Sequence, residues 1–511
     1  MKIVVTGGSG FLGKHLIEAL LEAGHSVIAL GREEIADDRI QGVTHNLLQA
    51  ASDEIKKKLG GADAVVHLAA IMPSKLDGGK DIIVQNRIMT RNAWSLVSSP
   101  KIFILASSVD VYPYSEIQVD ENTPLHPISD YGVSKKESEE ECLLWSKHHP
   151  DTTLTMLRFS HLYGPADTNT KGIDSMMRNA LLGKKSVRYG DGNEKRTYLF
   201  VEDAVRAILW CLEQRKNGIF NVAGSKSYSI REVIVQVEEL LKMKMEIEIA
   251  VASSSKKKGS SIVSSQKFAE ATGFVPTVDL RTGLKRLVPK NILFDLDGPI
   301  LDVKERYYFV YRNFVTAYGG TPLPLNEYWE QKRMNAPLEK LLELSNCPGL
   351  VAEHKKYLSQ HREELSSLKL DKLQSKTLEV LNLLSKKYKL YLITLRRNKE
   401  NLARQLQELG LLPFFTEVLS VVPSREDQWK HKVDLLSKLH LPTEAGIIIG
   451  DTPTEILAAK KTGLTSIAVS NGIRTAEILR QAEPNLVVGD IGDLQSLPFV
   501  KIGLGGPSSI D

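Results

Sequence analysis

Short apolar runs alternate with amphipathic stretches from the first residue of the chain. KIVVT (2–6) is followed by GGSGFLG and then by KHLIEALLEAGH, in which Leu16, Ala19, Leu20 and Leu21 recur at helical spacing, so the opening predicts strand, glycine loop, helix. HSVIAL, ADAVVHLAA and KIFILASSVDVYP read as further buried strands. The pattern restarts at NILFDLDG (291–298), and KLYLITLRRN and GIIIGDTPTEILAAKKTG supply two more strands with chemistry at their ends. Between NILF and KLYLIT, helical patterning dominates: RYYFVYRNFVTAYGG, NEYWEQKRMNAPLEKLLELS and VAEHKKYLSQHREELSSL. The expectation is an α/β chain in two parts, joined at Pro289 and Lys290, with the second part interrupted by an α-helical cap.

Composition narrows the class without choosing a function. A chain of 511 residues has room for two domains or more on the usual scale of about 150 residues each. No run of about 18 apolar residues could span a bilayer, and the start lacks the charged-then-apolar order of a signal peptide. A cytoplasmic location is expected. Cys142, Cys211 and Cys347 have no metal-ligand spacing and are read as reduced thiols. A net charge of +4 gives no argument for nucleic acid or membrane partners.

In the first part, Gly7 would permit a tight turn, Gly10 would let backbone amides approach a pyrophosphate, and Gly13 would let helix and strand pack closely. The second strand ends at Gly31 and Arg32 instead of the carboxylate that accepts hydrogen bonds from an NAD ribose, which favours NADP over NAD. His67 reads as a packed strand residue. Tyr131 and Lys135 in YGVSKKESEEE lie one helical turn apart on one face. An ammonium there should lower the tyrosine pKa, so that Tyr131 exchanges a proton with a sugar hydroxyl while Ser108 holds the same oxygen.

Taken together, TGGSGFLG, HLAA, NRIMTRN, SSVDVYP, DENTPLHPISDYGVSK, LRFSHLYGP, YGDGNEKRTYLFVEDAVRAI and FNVAG resemble the extended short-chain dehydrogenases/reductases, the nucleotide-sugar epimerases and dehydratases, over residues 1–288. The resemblance implies a doubly wound NAD(P)-binding Rossmann domain with a small substrate lobe. It implies a catalytic set of Ser108, Tyr131 and Lys135. Gly7, Gly10, Phe11, Leu12, Gly13 and Ala69 would line the dinucleotide, and Arg196 would contact a substrate diphosphate. Val109 and Asp110 stand where dehydratases carry Asp and Glu, which argues against elimination of water; Asp110 keeps one carboxylate near the sugar. Lys256, Lys257 and Lys258 replace the segment that usually grips the nucleotide, as a solvated loop or a phosphate contact.

In the second part, two carboxylates at a strand end, Asp295 and Asp297, suit covalent phosphoryl transfer. One attacks phosphorus while the other protonates the leaving oxygen and then activates water. With Thr394, Lys432 and Asp451 at the later stations, residues 289–500 resemble the haloacid dehalogenase superfamily of phosphohydrolases, a Rossmann-like fold with a helical cap at about 307–375. The resemblance implies Asp295 as nucleophile, Asp297 as acid/base, Thr394 as a phosphate donor, and Lys432, in preference to Lys430, as the neutralising cation. Mg²⁺ would be held by Asp451, the Asp295 carboxylate and the Asp297 backbone. Pro299 and Glu455 depart from the family pattern. Trp329, Lys332 and Arg333 face either substrate or solvent, and residues 501–511 form a tail.

The expected function is a bifunctional sugar-metabolism enzyme: an NAD(P)-dependent epimerase or reductase on a sugar nucleotide or sugar derivative, joined to a Mg²⁺-dependent sugar phosphatase. The alternatives are a front half that senses NAD(P)H and regulates the phosphatase, or a rear half that is a phosphomutase. A homodimer through the Tyr131 helix is a further expectation.

Overall fold

The computed structural model describes residues 1–33, 35, 37–73, 81–168, 172–250, 259–422, 427–439 and 444–502. Two compact units meet in sequence between Leu287 and Val288.

The first unit is built on a seven-stranded parallel sheet. Its strands are β1 (Lys2–Thr6), β2 (Ser26–Gly31), β3 (Gln41–Thr44), β4 (Ala64–His67), β5 (Ile102–Ser108), β6 (Thr153–Phe159) and β7 (Gly218–Val222), in the order β3-β2-β1-β4-β5-β6-β7. Strand order reverses between β1 and β4, so a crevice opens there beyond the carboxyl ends of both strands. Both faces of the sheet are covered, which is why its strands read as unbroken apolar runs. Ile3 and Val5 point into one core with Leu16 and Leu20 of α1 (Phe11–Glu22), while Val4 points into the other with Met89, Ala93 and Trp94 of α2 (Ile82–Trp94). A smaller five-stranded sheet includes Ser115–Val119, Lys195–Phe200 and Ser261–Val263.

The second unit has a six-stranded parallel sheet of β8 (Asn291–Phe294), β9 (Lys389–Thr394), β10 (Glu417–Ser420), β11 (Gly446–Gly450), β12 (Thr465–Val469) and β13 (Leu486–Val488), in the order β10-β9-β8-β11-β12-β13. β8 lies between β9 and β11, with Phe294 paired to both Leu392 and Ile449. The three strand ends that carry Asp295, Thr394 and Asp451 are therefore neighbours. Leu301–Asp302 pairs antiparallel with Lys372–Leu373, so the chain leaves for the cap and returns at one two-stranded crossing. Between them run five helices, from Lys304–Ala317 to Leu365–Leu368.

Candidate active sites

The glycine loop after β1 is folded too tightly for side chains. Gly7 sits at φ +72°, and a Cβ there would lie 2.8 Å from Ala69 N; a Cβ on Gly13 would lie 2.3 Å from Gly7 O. Gly10 donates to Gly7 O at 2.9 Å and caps α1. This cradle at the strand-order reversal, with bare amides at a helix N-terminus, fits a dinucleotide pyrophosphate. Phe11 and Leu12 are half-buried in the first turn, and Arg32 is exposed just after β2. Ala69 N donates to Thr6 Oγ1 at 3.3 Å, and that hydroxyl lies 2.7 Å from His67 Nδ1. His67 is packed in the sheet, and burial, with Lys135 nearby, takes its pKa down to about 3.

α3 (Asp130–Ser146) is started by Ser129, whose hydroxyl accepts from Gly132 N at 3.0 Å. It packs so closely that a Cβ on Gly132 would meet Asp110 O at 2.1 Å, which brings the first turn of α3 against the end of β5. Lys135 Nζ donates to Ala106 O at 2.7 Å and lies 5.7 Å from the Tyr131 ring centroid. Ser108 Oγ accepts from Asp110 N at 3.2 Å.

The electrostatics correct one expectation. Burial, and then the charge of Asp110, pushes Tyr131 above the ordinary phenol value. Burial pulls Lys135 down to about 8 against the pull of Glu139. The lysine hydrogen bond goes to a main-chain carbonyl, Ala106 O, and not to the phenol.

Arg196 is turned to the chain itself. Its Nη1 donates to Lys195 O at 3.0 Å and Gly259 O at 2.6 Å, and its guanidinium lies over Tyr114. Lys256, Lys257 and Lys258 lie outside the described residues. Sequence reasoning missed a buried network behind Ser108. Glu139 accepts from Ser107 at 2.5 Å and from Arg158 Nη2 at 2.6 Å, and Arg158 donates to Tyr112 at 2.7 Å. Only the spacing of Glu139, one turn beyond Lys135 on the same helix face, hinted at it.

In the rear site, Lys432 Nζ lies 2.6 Å from Asp295 Oδ1 and 2.6 Å from Glu455 Oε1, and donates to Ile393 O at 3.3 Å. Lys430 instead pairs with Asp427, well exposed. Thr394 is buried at the end of β9. Asp295, Asp451 and Glu455 bring carboxylate oxygens within 4.8 Å of one another. Asp451 Oδ2 accepts from Ile473 N at 2.5 Å, while its Oδ1 is buried without a hydrogen-bond partner among the described residues. Burial, opposed by Lys432 and reinforced by Glu455, raises Asp295 to about 7; burial and then Asp295 and Glu455 raise Asp451 well above the usual carboxylate range. Three buried carboxylates facing one lysine, with one oxygen unsatisfied, fit a divalent cation.

Two features add to the sequence expectation. Glu455, a departure from the family pattern, joins the carboxylate trio while also capping its own helix through Thr452. Asp297 does not join through its side chain. Arg306 Nη2 at 2.7 Å and Arg396 Nη2 at 2.5 Å clamp its carboxylate. Against the burial that would raise it, these arginines hold Asp297 well below the carboxylate range. An ionised Asp297 can take a proton from water but has none to give a leaving group. Arg306 and Arg396 also share the buried Asp371, which burial raises to about 6. The sequence did not announce this clamp; Arg396, two residues beyond Thr394, was its only local sign.

A doubly wound sheet with a glycine cradle, followed by a second parallel sheet with converging carboxylates and a cap, defines two classes of α/β domain. Residues 3–223 match the NAD dependent epimerase/dehydratase family, and residues 292–469 match the haloacid dehalogenase-like hydrolases. The two matches lie one after the other along the chain, one in each unit, consistent with a fusion. Its front part is similar to a UDP-N-acetyl-alpha-D-glucosaminuronate decarboxylase of Bacillus cytotoxicus, 29% identical over 47% of this chain and 80% of the relative. It is also similar to a dTDP-glucose 4,6-dehydratase of Haemophilus influenzae, 28% identical over 47% of this chain and 80% of that protein. Among solved structures, the UDP-glucuronic acid 4-epimerase of Bacillus cereus in complex with UDP-glucuronic acid and NAD is 26% identical, with a TM-score of 0.50 over 56% of this chain and 97% of its own.

Proposed function

We propose that the chain is a bifunctional enzyme: a nicotinamide-dependent epimerase or reductase acting on a sugar nucleotide, followed by a phosphatase working through an aspartyl-phosphate. The observation that carries the reading is that each unit holds its own set of reacting groups at the carboxyl ends of its own parallel sheet.

In front, the dinucleotide supplies the hydride acceptor and donor when bound. Tyr131 gives or takes the proton of the sugar hydroxyl, Ser108 orients that oxygen, and Lys135 fixes the helix turn through Ala106 while adding positive charge beside the phenol. Similarity to proteins that handle UDP and dTDP sugars supports a sugar-nucleotide substrate. Val109 and Asp110 in place of an acid pair favour epimerisation or reduction over dehydration. Exposed Arg32 favours NADP, whereas the Bacillus cereus structure is an NAD complex; titrating both cofactors against wild type and Arg32→Ala separates the two.

Behind, an oxygen of Asp295 attacks phosphorus as the bond to the ester oxygen breaks, the departing oxygen taking a proton from water, and a second water then cleaves the acyl-phosphate as its proton passes to Asp297. A Mg²⁺ ion held by Asp295 and Asp451 would offset the charge of the phosphate, and Lys432 adds the protein's own positive charge. Asp295→Asn should abolish phosphate release while dinucleotide binding persists; unchanged turnover rules out this nucleophile. Tyr131→Phe should lower front-half turnover by about 10²–10⁴-fold, measured as sugar-nucleotide conversion by mass spectrometry.

A further inference from the structure

The rear unit gathers several cations beside the groups of this phosphoryl chemistry. Three of them surround one ring: Lys332 Nζ is 4.2 Å from the centroid of Tyr307, and the guanidinium carbons of Arg306 and Arg362 are 5.3 and 6.0 Å away. Arg474 joins them by donating from Nη1 to Lys332 O at 3.0 Å. The cluster abuts the reacting groups on two sides. Arg306 reaches Asp297, and Arg474 follows Ile473, whose amide holds Asp451.

Counting charges shows the imbalance. Arg306 and Arg396 are matched by Asp297 and Asp371, which they share. Arg362 has Glu363 as its only carboxylate within ion-pair reach among the described residues, and Lys332 and Arg474 have none. Arg362 approaches Glu363 at 3.5 Å, but the other oxygen of Glu363 is taken by the amides of Arg397 and Asn398 at 2.8 Å each. Arg474 feels Asp451 and Glu455, the carboxylates of the metal trio. Burial and then Arg474, Arg362 and Arg306 take Lys332 down to about 7. Arg306 Nη1 and Arg362 Nε are buried without a hydrogen-bond partner among the described residues. Sheltered like charges repel and unpaired guanidinium N–H groups are costly, so an arrangement of this kind is suited to an anion that arrives from outside. Guanidinium groups present the paired donors that carboxylates and phosphates accept.

We propose that Lys332, Arg362 and Arg474 form a second anion subsite beside Asp295, so that the rear substrate is a compact phosphate monoester carrying a further anionic group, a carboxylate or a second phosphate. This rests on reading the rear unit as a phosphoryl-transferring site, and the test keeps the two apart.

Calorimetry of the full chain with Mg²⁺ would compare methylphosphonate, with one anionic group, against phosphonoacetate and methylenebisphosphonate, with two. The expected result is a preference of about 10- to 100-fold for at least one doubly anionic probe, and which probe it is distinguishes carboxylate from phosphate. Lys332→Met and Arg362→Met should collapse that ratio toward one, and Lys332→Arg should restore much of it. No preference in wild type, or a preference that survives both methionine variants, overturns the subsite. If p-nitrophenyl phosphate and all monoesters go unhydrolysed while the probe preference behaves as expected, the hydrolase reading falls and the anion subsite stands. Hydrolysis without any preference overturns the subsite alone.

Discussion

Buried charges carry the largest single-residue stakes in this chain. Arg158 and Glu139 have side chains only 4% and 3% exposed. Arg158→Met would leave a buried carboxylate unpaired, so the front unit should lose about 3–5 kcal/mol of stability, read by denaturant unfolding. Lys58–Glu54, at 51% and 77% exposed, is a surface pair whose removal should leave the unfolding midpoint unchanged. Lys332 gives a pH-dependent case. Its folded pKa lies below the unfolded value, so between about 7 and the ordinary lysine range the unfolded chain binds more protons and stability rises with pH. Below that window the charged amine is a constant penalty. Lys332→Met should therefore raise the melting temperature more at pH 6.5 than at pH 9; an equal shift at both would show that Lys332 is not destabilised by its surroundings.

At the scale of elements, strand-loop-helix junctions set the geometry of both sites. Gly13→Ala would force a methyl group to within 2.3 Å of Gly7 O, so the loop must open. It should weaken dinucleotide binding and cost about 1–3 kcal/mol of front-unit stability, measured by cofactor titration and thermal unfolding. In the rear unit a Cβ on Gly472 would fall 2.2 Å from Asp451 Oδ2. Gly472→Ala should displace that carboxylate and lower phosphate release together with the Mg²⁺ dependence of thermal stability. Loss of neither would show that Asp451 does not depend on that close approach. The strand, glycine loop and first helix were legible because apolar periodicity and glycine spacing are local properties. The helical content of the cap was legible for the same reason. Its partners were not: Arg306 belongs to an amphipathic helix, and nothing in KERYY says that its guanidinium is fully buried against Asp297 and Asp371.

At the scale of the whole molecule, the proposed bifunctional reading predicts that two units with separate cores carry separable activities. Tyr131→Phe should leave phosphate release intact, and Asp295→Asn should leave front-half conversion intact. Reciprocal loss would instead mean that one unit controls the other, as a dinucleotide-sensing front half would. Among the described residues no helix is long and apolar enough to cross a membrane.

The sequence alone determined the two-part α/β organisation, the glycine cradle and the order of Asp295, Thr394, Lys432 and Asp451, because strand ends and turn residues are written in short, contiguous patterns. Tertiary structure decided which charges meet. It put Glu455 with Asp295 and Asp451, gave the carboxylate of Asp297 to two arginines, and turned the Lys135 hydrogen bond toward Ala106. The physical reason is that burial and proximity set the protonation state of a side chain, and both depend on residues as far apart in sequence as Asp297 and Arg396.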